Sequence, residues 1–120
     1  MKNKQLAFID IETTGLSLEK GHEIIEIAIL KGAISYHTRI KPMYIDNADP
    51  LALKINGYSP LLWRGAITPG QAANEIAHIL SGCRIVGHNP TFDMTFIRDL
   101  WETFDIECYV DYRYIDTVVL

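Results

Sequence analysis

Hydrophobic residues run in short, strand-like stretches over the first forty positions and recur at helical spacing from about position 49 onward. Leu6 to Ile11 reads as a strand that is apolar on both sides, with Leu6 and Phe8 on one and Ala7, Ile9 and Ile11 on the other. Such a pattern belongs to a central strand with both faces covered. A polar loop, Thr13 to Gly21, leads to a second strand over Glu23–Leu30. Lys31-Gly32 makes a tight connection to a third over Ile34–Ile40, which predicts an antiparallel three-strand meander.

The helices that follow share one device. Four of the five prolines stand after a residue suited to helix capping: Asp49-Pro50, Ser59-Pro60, Thr68-Pro69 and Asn89-Pro90. The spacing predicts a short helix over Asp49–Asn56 closed by Gly57. A longer one opens on a Thr68/Gln71 capping box and buries Ala72, Ala73, Ile76, Ile79 and Leu80, with Gly82 ending it. Arg84–Gly87 is a short buried strand. A third helix runs from Pro90 to about Phe104, with Asn89 as its cap and Phe96, Ile97, Leu100, Trp101 and Phe104 inward. Tyr112 to Val119 reads as a closing strand. A meander followed by α/β crossovers predicts an α/β fold, a mixed sheet with helices on its faces.

Composition narrows the functional classes. The chain has 120 residues, 48% of them apolar, and a formal charge of −4. That is enough to build a core without metal or disulfide staples, and the balance argues against a general duplex-DNA-coating surface. It leaves open an enzyme that handles nucleic acid through cations, because such a site needs carboxylates. Cys83 and Cys108 lack a CxxC or a His-rich neighbourhood, so they read as reduced buried thiols rather than zinc ligands. The N-terminal MKNKQLAFIDIE is neither signal nor transit sequence, and Ile24–Leu30, interrupted by Glu26, is too short to span a bilayer. The expectation is a cytoplasmic chain with no membrane partner.

Two segments carry candidate chemistry. In FIDIETTGL, Asp10 and Glu12 lie two residues apart on a strand, so they face the same side about 6–7 Å apart. They suit a hard cation such as Mg²⁺ or Mn²⁺, although a polar strand end before a turn would look the same. In VGHNPTFD, a buried strand runs into a helix whose first turns carry Asp93 in phase with Ile97 and Leu100. An inward acid needs compensation, which a metal supplies; a favourable pairing with the helix dipole is the alternative.

Asp10-x-Glu12 followed by Asp93 resembles the first two motifs of the DnaQ-like (DEDD) 3′–5′ exonucleases. IIEIA, ALKINGYSP and YRYIDT are similar in kind to other stretches of that superfamily, so the resemblance runs from Leu6 to Val119. It implies a ribonuclease-H-like fold and two-metal phosphodiester hydrolysis, one ion activating water and the other stabilising the leaving 3′ oxygen. By the same resemblance Asp10, Glu12 and Asp93 hold the two Mg²⁺ or Mn²⁺ ions. Thr13, Thr14, Gly15 and Leu16 support the terminal nucleotide, with Leu16 beside its base. Asn56, Gly57, His88, Asn89 and Phe92 line the cleft, where capping or packing is the competing role. The partner is the 3′ end of single-stranded DNA or RNA.

The chain departs from that pattern in one respect. The resemblance requires a general-base His or Tyr and a fourth carboxylate on a late helix, yet His22, His37, His78 and His88 all precede Asp93. Tyr112-x-x-x-Asp116 fits the tyrosine version only on a helix, and this stretch is β-rich. Residues 1–120 therefore read as one exonuclease-like domain lacking the C-terminal helices that carry the third motif. Weak or absent hydrolysis is expected, and a sheet face left uncovered invites self-association or a partner chain. Trp63, Trp101 and the tyrosines read mostly as core and strand residues rather than base-stacking platforms. The rival reading is a catalytically dead module that binds nucleic acid or protein.

Overall fold

The computed structural model of the protein describes residues 4–119, so the extreme ends of the expected 1–120 domain lie outside it. Elements follow in the order β1 (Leu6–Thr13), β2 (Ile24–Lys31), β3 (Ile34–Arg39), α1 (Pro50–Asn56), α2 (Pro69–Leu80), β4 (Arg84–Gly87), α3 (Pro90–Thr103) and β5 (Asp111–Asp116). They build one five-stranded sheet in the order β3-β2-β1-β4-β5. β1 is antiparallel to β2, and β2 to β3, whereas β4 runs parallel to both β1 and β5. The α/β mixed sheet with its N-terminal meander is the expected ribonuclease-H-like arrangement.

The core lies on one side of this sheet. Ala7, Ile9 and Ile11 of β1 join Ile27, Ile29 and Ile85 beneath Ala72, Ala73, Ile76 and Leu80 of α2 and Phe96, Ile97 and Leu100 of α3. The indole N–H of Trp101 donates to the Ala73 carbonyl at 3.1 Å and fastens the two helices together. At the sheet's edge, the Lys31 ammonium donates to the Ile79 carbonyl and the Tyr36 hydroxyl to Glu75, both at 2.8 Å. Burial first, and then the Glu75 carboxylate that accepts its hydrogen bond, push the Tyr36 phenol well above its ordinary range.

Five details depart from the sequence reading. The Leu6/Phe8 side of β1 is not covered: Leu6 is 39% and Phe8 48% exposed, because α2 and α3 pack together on the opposite face. Ser59-Pro60 opens a turn rather than a helix, and the Ser59 hydroxyl accepts from the Leu62 N–H at 3.1 Å. Thr68 does cap α2 through the Gln71 N–H, but the Gln71 side chain turns to Glu75, leaving the capping box half made. Asn89 does not cap α3 with its side chain; it sits in the left-handed region at φ 56°, which Asn tolerates better than most residues. The last strand stops at Asp116, and Thr117–Val119 form a 3-10 turn. Tyr112 is thus on a strand, 73% exposed, and Tyr112-x-x-x-Asp116 has no helical phase.

A one-sided core predicts unequal costs for truncating the two faces of the same sheet. Ile27→Ala, at a fully buried position, is expected to cost about 2–5 kcal/mol in urea unfolding. Phe8→Ala is expected to cost under about 1 kcal/mol. Equal losses would mean that the Phe8 face is covered.

Candidate metal and nucleotide site

Alternation along β1 that buries Ala7, Ile9 and Ile11 necessarily turns Asp10 and Glu12 to the open face. Glu12 stands directly across the ladder from Glu26 of β2, immediately before a register shift at Glu12/Thr13. That irregularity breaks the alternation of β2, so Ile24 and Ile25 are both buried. Bulges of this kind terminate pairing and re-aim side chains beside functional sites. From the other direction, α3 brings Asp93 to the end of β1, 7% exposed.

The electrostatics record their proximity. Burial first, and the neighbouring Asp10 charge second, push the Asp93 carboxyl up to about 7, although the Ile11 and Asp93 backbone N–H groups partly oppose this. Glu12 is raised as well, by burial and then by Asp10 and Glu26. None of Asp10, Glu12 and Asp93 forms an ion pair with a Lys or Arg among the described residues. Mutually repelling carboxylates with hard oxygen donors and no organic counter-charge suit a divalent cation. Among the described residues no three His, Cys, Asp or Glu side chains are close enough to clasp an ion without adjusting.

Beside the carboxylates lies a hollow of about 330 Å³ between the end of β1, α1 and the start of α3. Its wall includes Glu12, Thr13, Gly15, Leu16, Asn56 and Phe92, with Leu51 and Ile55 of α1. Leu16, Leu51 and Ile55 are 83%, 63% and 74% exposed, an apolar rim of the kind that marks a binding site. α1 is tied to the loop at both ends. The Asp49 N–H donates to the Thr14 carbonyl at 2.8 Å, and the Asn56 amide to the Thr13 carbonyl at 2.7 Å.

Several expected contact residues have structural duties within the chain, and some stand outside the hollow. Thr14 is fully buried, and its hydroxyl accepts from the Glu23 N–H at 3.0 Å. The Thr13 hydroxyl donates to the Gly15 carbonyl at 2.6 Å. Gly57 ends α1 at φ 71° and does not line the hollow. His88 and Asn89 are exposed and stand outside it too. Trp63 and Trp101, 3% and 4% exposed, spend their indole N–H groups on the Ile25 and Ala73 carbonyls.

Sequence reasoning overlooked four residues around the site. The His22 ring packs against Gly15, where a Cβ would lie 2.2 Å from its Nδ1, and that nitrogen accepts from the Ser17 N–H at 3.0 Å. His22 therefore fixes the curve of the loop. Asp116 accepts from the Asn89 and Val118 N–H groups, which hold its carboxyl below the ordinary range and anchor the turn before α3. Glu26 and His37 join Asp10, Glu12 and Asn56 around a groove of about 210 Å³ on the open face. For Glu26 and His37 the period-2 pattern of the meander was the available signal; for His22 and Asp116 nothing local pointed inward.

A ribonuclease-H-like sheet with paired carboxylates on its central strand and a third at a helix start defines the class of the protein as a nuclease-type domain. The exonuclease family model of the RNase T type matches residues 7–120, and the chain belongs to that family. It is 32% identical over 124 residues to the PolC-type DNA polymerase III of Thermotoga petrophila, covering 99% of this chain and 9% of the relative. It is 29% identical to the 3′-5′ exonuclease DinG of Staphylococcus saprophyticus, covering 89% of this chain and 12% of the relative. With ribonuclease T of Shewanella baltica it shares 32% identity, covering 82% of this chain and 53% of that protein. The chain thus spans about a tenth of the first two relatives and about half of the third. Among solved structures, apo exonuclease I superposes with a TM-score of 0.78 over 96% of this chain and 28% of that one, at 18% identity. The E. coli exonuclease I complex with a dT13 oligonucleotide gives 0.76 at 19% identity. This likeness shows the fold.

Two predictions follow from the geometry. Between the ordinary carboxyl value of 3.8 and the folded value near 7, Asp93 holds a proton that the unfolded chain releases, so stability falls as pH rises through that window. Asp93→Asn is expected to raise the melting temperature of the EDTA-treated chain at pH 8, with the gain shrinking towards pH 4. An equal gain throughout would remove the electrostatic cause. Gly15→Ala is expected to cost about 1–3 kcal/mol against the His22 ring, and much less in a His22→Ala background, as a double-mutant cycle by thermal melting would read.

Proposed function

We propose that the protein is a divalent-metal-dependent 3′–5′ exonuclease domain acting on the 3′ end of single-stranded DNA or RNA. The observation that supports this reading is Glu12, flanked by the Asp10 charge, on the wall of an apolar hollow of about 330 Å³, with the Asp93 carboxyl near enough to be raised by Asp10 and Glu12. Among the described residues the Gly15 and Leu16 N–H groups have no protein acceptor, so they can receive the oxygens of a terminal sugar. Leu16, Ile55 and Phe92 would enclose the base. Asn56 would act through the Thr13 carbonyl, keeping α1 against the loop.

Two Mg²⁺ or Mn²⁺ ions would be held by Asp10, Glu12 and Asp93, and when bound they supply the charge neutralisation and water activation of two-metal phosphodiester hydrolysis. The chain's own residues orient the terminal nucleotide and exclude water from its base. With three carboxylates and no His after Asp93, the 120-residue chain alone would hydrolyse slowly, by about 10²–10⁴-fold for the missing base. Free thiols at Cys83 and Cys108 agree with a reducing cytoplasm. No helix among the described residues is long and apolar enough to cross a membrane. Self-association or a partner chain would cover the apolar part of the open face, around Phe8 and Leu30.

Incubation of the chain with a 5′-labelled single-stranded oligonucleotide and Mn²⁺ is expected to give a slow ladder shortened from the 3′ end. EDTA and Asp10→Ala should both abolish it. Saturable binding of the oligonucleotide without any ladder, even at long times, would overturn the enzyme reading and leave a binding module.

A further inference from the structure

The open sheet face changes the sign of its charge across three strands. Pairing register aligns Asp10, Ala28 and His37 in one row and Glu12, Glu26 and Arg39 in the next. Glu26 faces Arg39 directly, an arrangement that ordinarily makes a cross-strand ion pair. Its carboxylate turns instead to His37, whose Nε2–H donates to Oε2 at 2.5 Å. Arg39 is thereby left with no carboxylate partner among the described residues.

The Arg39 guanidinium is nonetheless held in place. It lies over the Trp63 ring, 4.6 Å from the centroid, and its Nη1–H donates to the Leu62 carbonyl at 3.1 Å. Trp63 is itself fixed by its bond to the Ile25 carbonyl at 2.8 Å. Among the described residues Nη2 makes no bond, and the buried Nε has no partner either. This guanidinium borders a groove of about 490 Å³ lined by His37, Thr38, Leu62, Gly65 and Ala66. His37 also lines the groove that contains Asp10 and Glu12, so the two grooves are adjacent.

An immobilised guanidinium with unspent donors is the side chain best suited to a phosphate. β3 stands two strand spacings from β1, about 10 Å, which a single strand covers in about three nucleotides at a stacked rise of 3.4 Å. We propose that Arg39 binds a backbone phosphate of a single-stranded polynucleotide on the 5′ side of its terminal nucleotide. The β3 groove then selects strands over mononucleotides. This rests on the exonuclease reading, in which the terminal nucleotide occupies the hollow beside Asp10.

Affinities for thymidine 5′-monophosphate and for octathymidylate, each with Mn²⁺, test the assignment. Wild type is expected to bind the octamer more tightly than the mononucleotide. Arg39→Met, which keeps an aliphatic stem on Trp63, is expected to weaken the octamer about 5–10-fold and to lower its salt slope by about 0.7, leaving the mononucleotide unchanged. Arg39→Lys should restore the slope but only part of the affinity. An octamer no tighter than the mononucleotide, or an Arg39→Met loss that is nil or equal for both ligands, overturns the phosphate site while the exonuclease reading stands. Failure of wild type to bind either ligand removes that reading as well. Should Arg39→Met unfold, the Arg39 Nε–H resonance of wild type decides: a shift with octamer alone supports the site, and none overturns it.

Discussion

Side chains on a β-strand point alternately to its two faces, and in β1 that alternation ties the core to the chemistry. Ala7, Ile9 and Ile11 anchor the sheet against α2 and α3, while the residues between them, Asp10 and Glu12, are turned outward. A slip of one residue would expose the isoleucines and bury both acids, so the hydrophobic core fixes where the carboxylates stand. β1 is also the strand where antiparallel and parallel pairing meet, with β2 on one side and β4 on the other. Through β4 it receives α3, and with α3 comes Asp93.

Gathering those acids is unfavourable in itself. Burial and mutual repulsion raise both Glu12 and Asp93, and no arginine or lysine among the described residues pairs with them. The surrounding structure holds the arrangement: the bulge after Glu12, the α1 bonds to the Thr13 and Thr14 carbonyls, and Asp116 gripping the turn at Asn89. A site strained by like charge is one that a divalent cation stabilises. Across the same face, Glu26 is diverted to His37 and Arg39 remains unneutralised, so the surface is acidic over β1 and basic over β3. The proposed polynucleotide, with its end beside the acids, matches that distribution.

Much of this was legible locally. The three strands of the meander, the Asp49 and Thr68 caps and the inward phase of Asp93 follow from periodicity and capping chemistry, and each appears in the structure. The misreadings share a cause. Leu6 and Phe8 look like core because they are apolar, and Ser59-Pro60 looks like a helix start because its local chemistry suits one. Neither pattern reveals which face the helices take or whether a helix has room to continue. Thr13 and Thr14 sit in a site motif, yet their hydroxyls bond within the chain.

The sequence by itself determined the strand alternation, the capping points and the presence of paired acids, because these depend on neighbours within a few residues. Only the tertiary structure decided that His22 supports Gly15, that Asp116 holds the Asn89 turn, and that Arg39 is left free while Glu26 takes His37. Those relations join residues far apart in the chain or choose among several chemically adequate partners. Pairing register and helix packing make that choice, and no local pattern contains either.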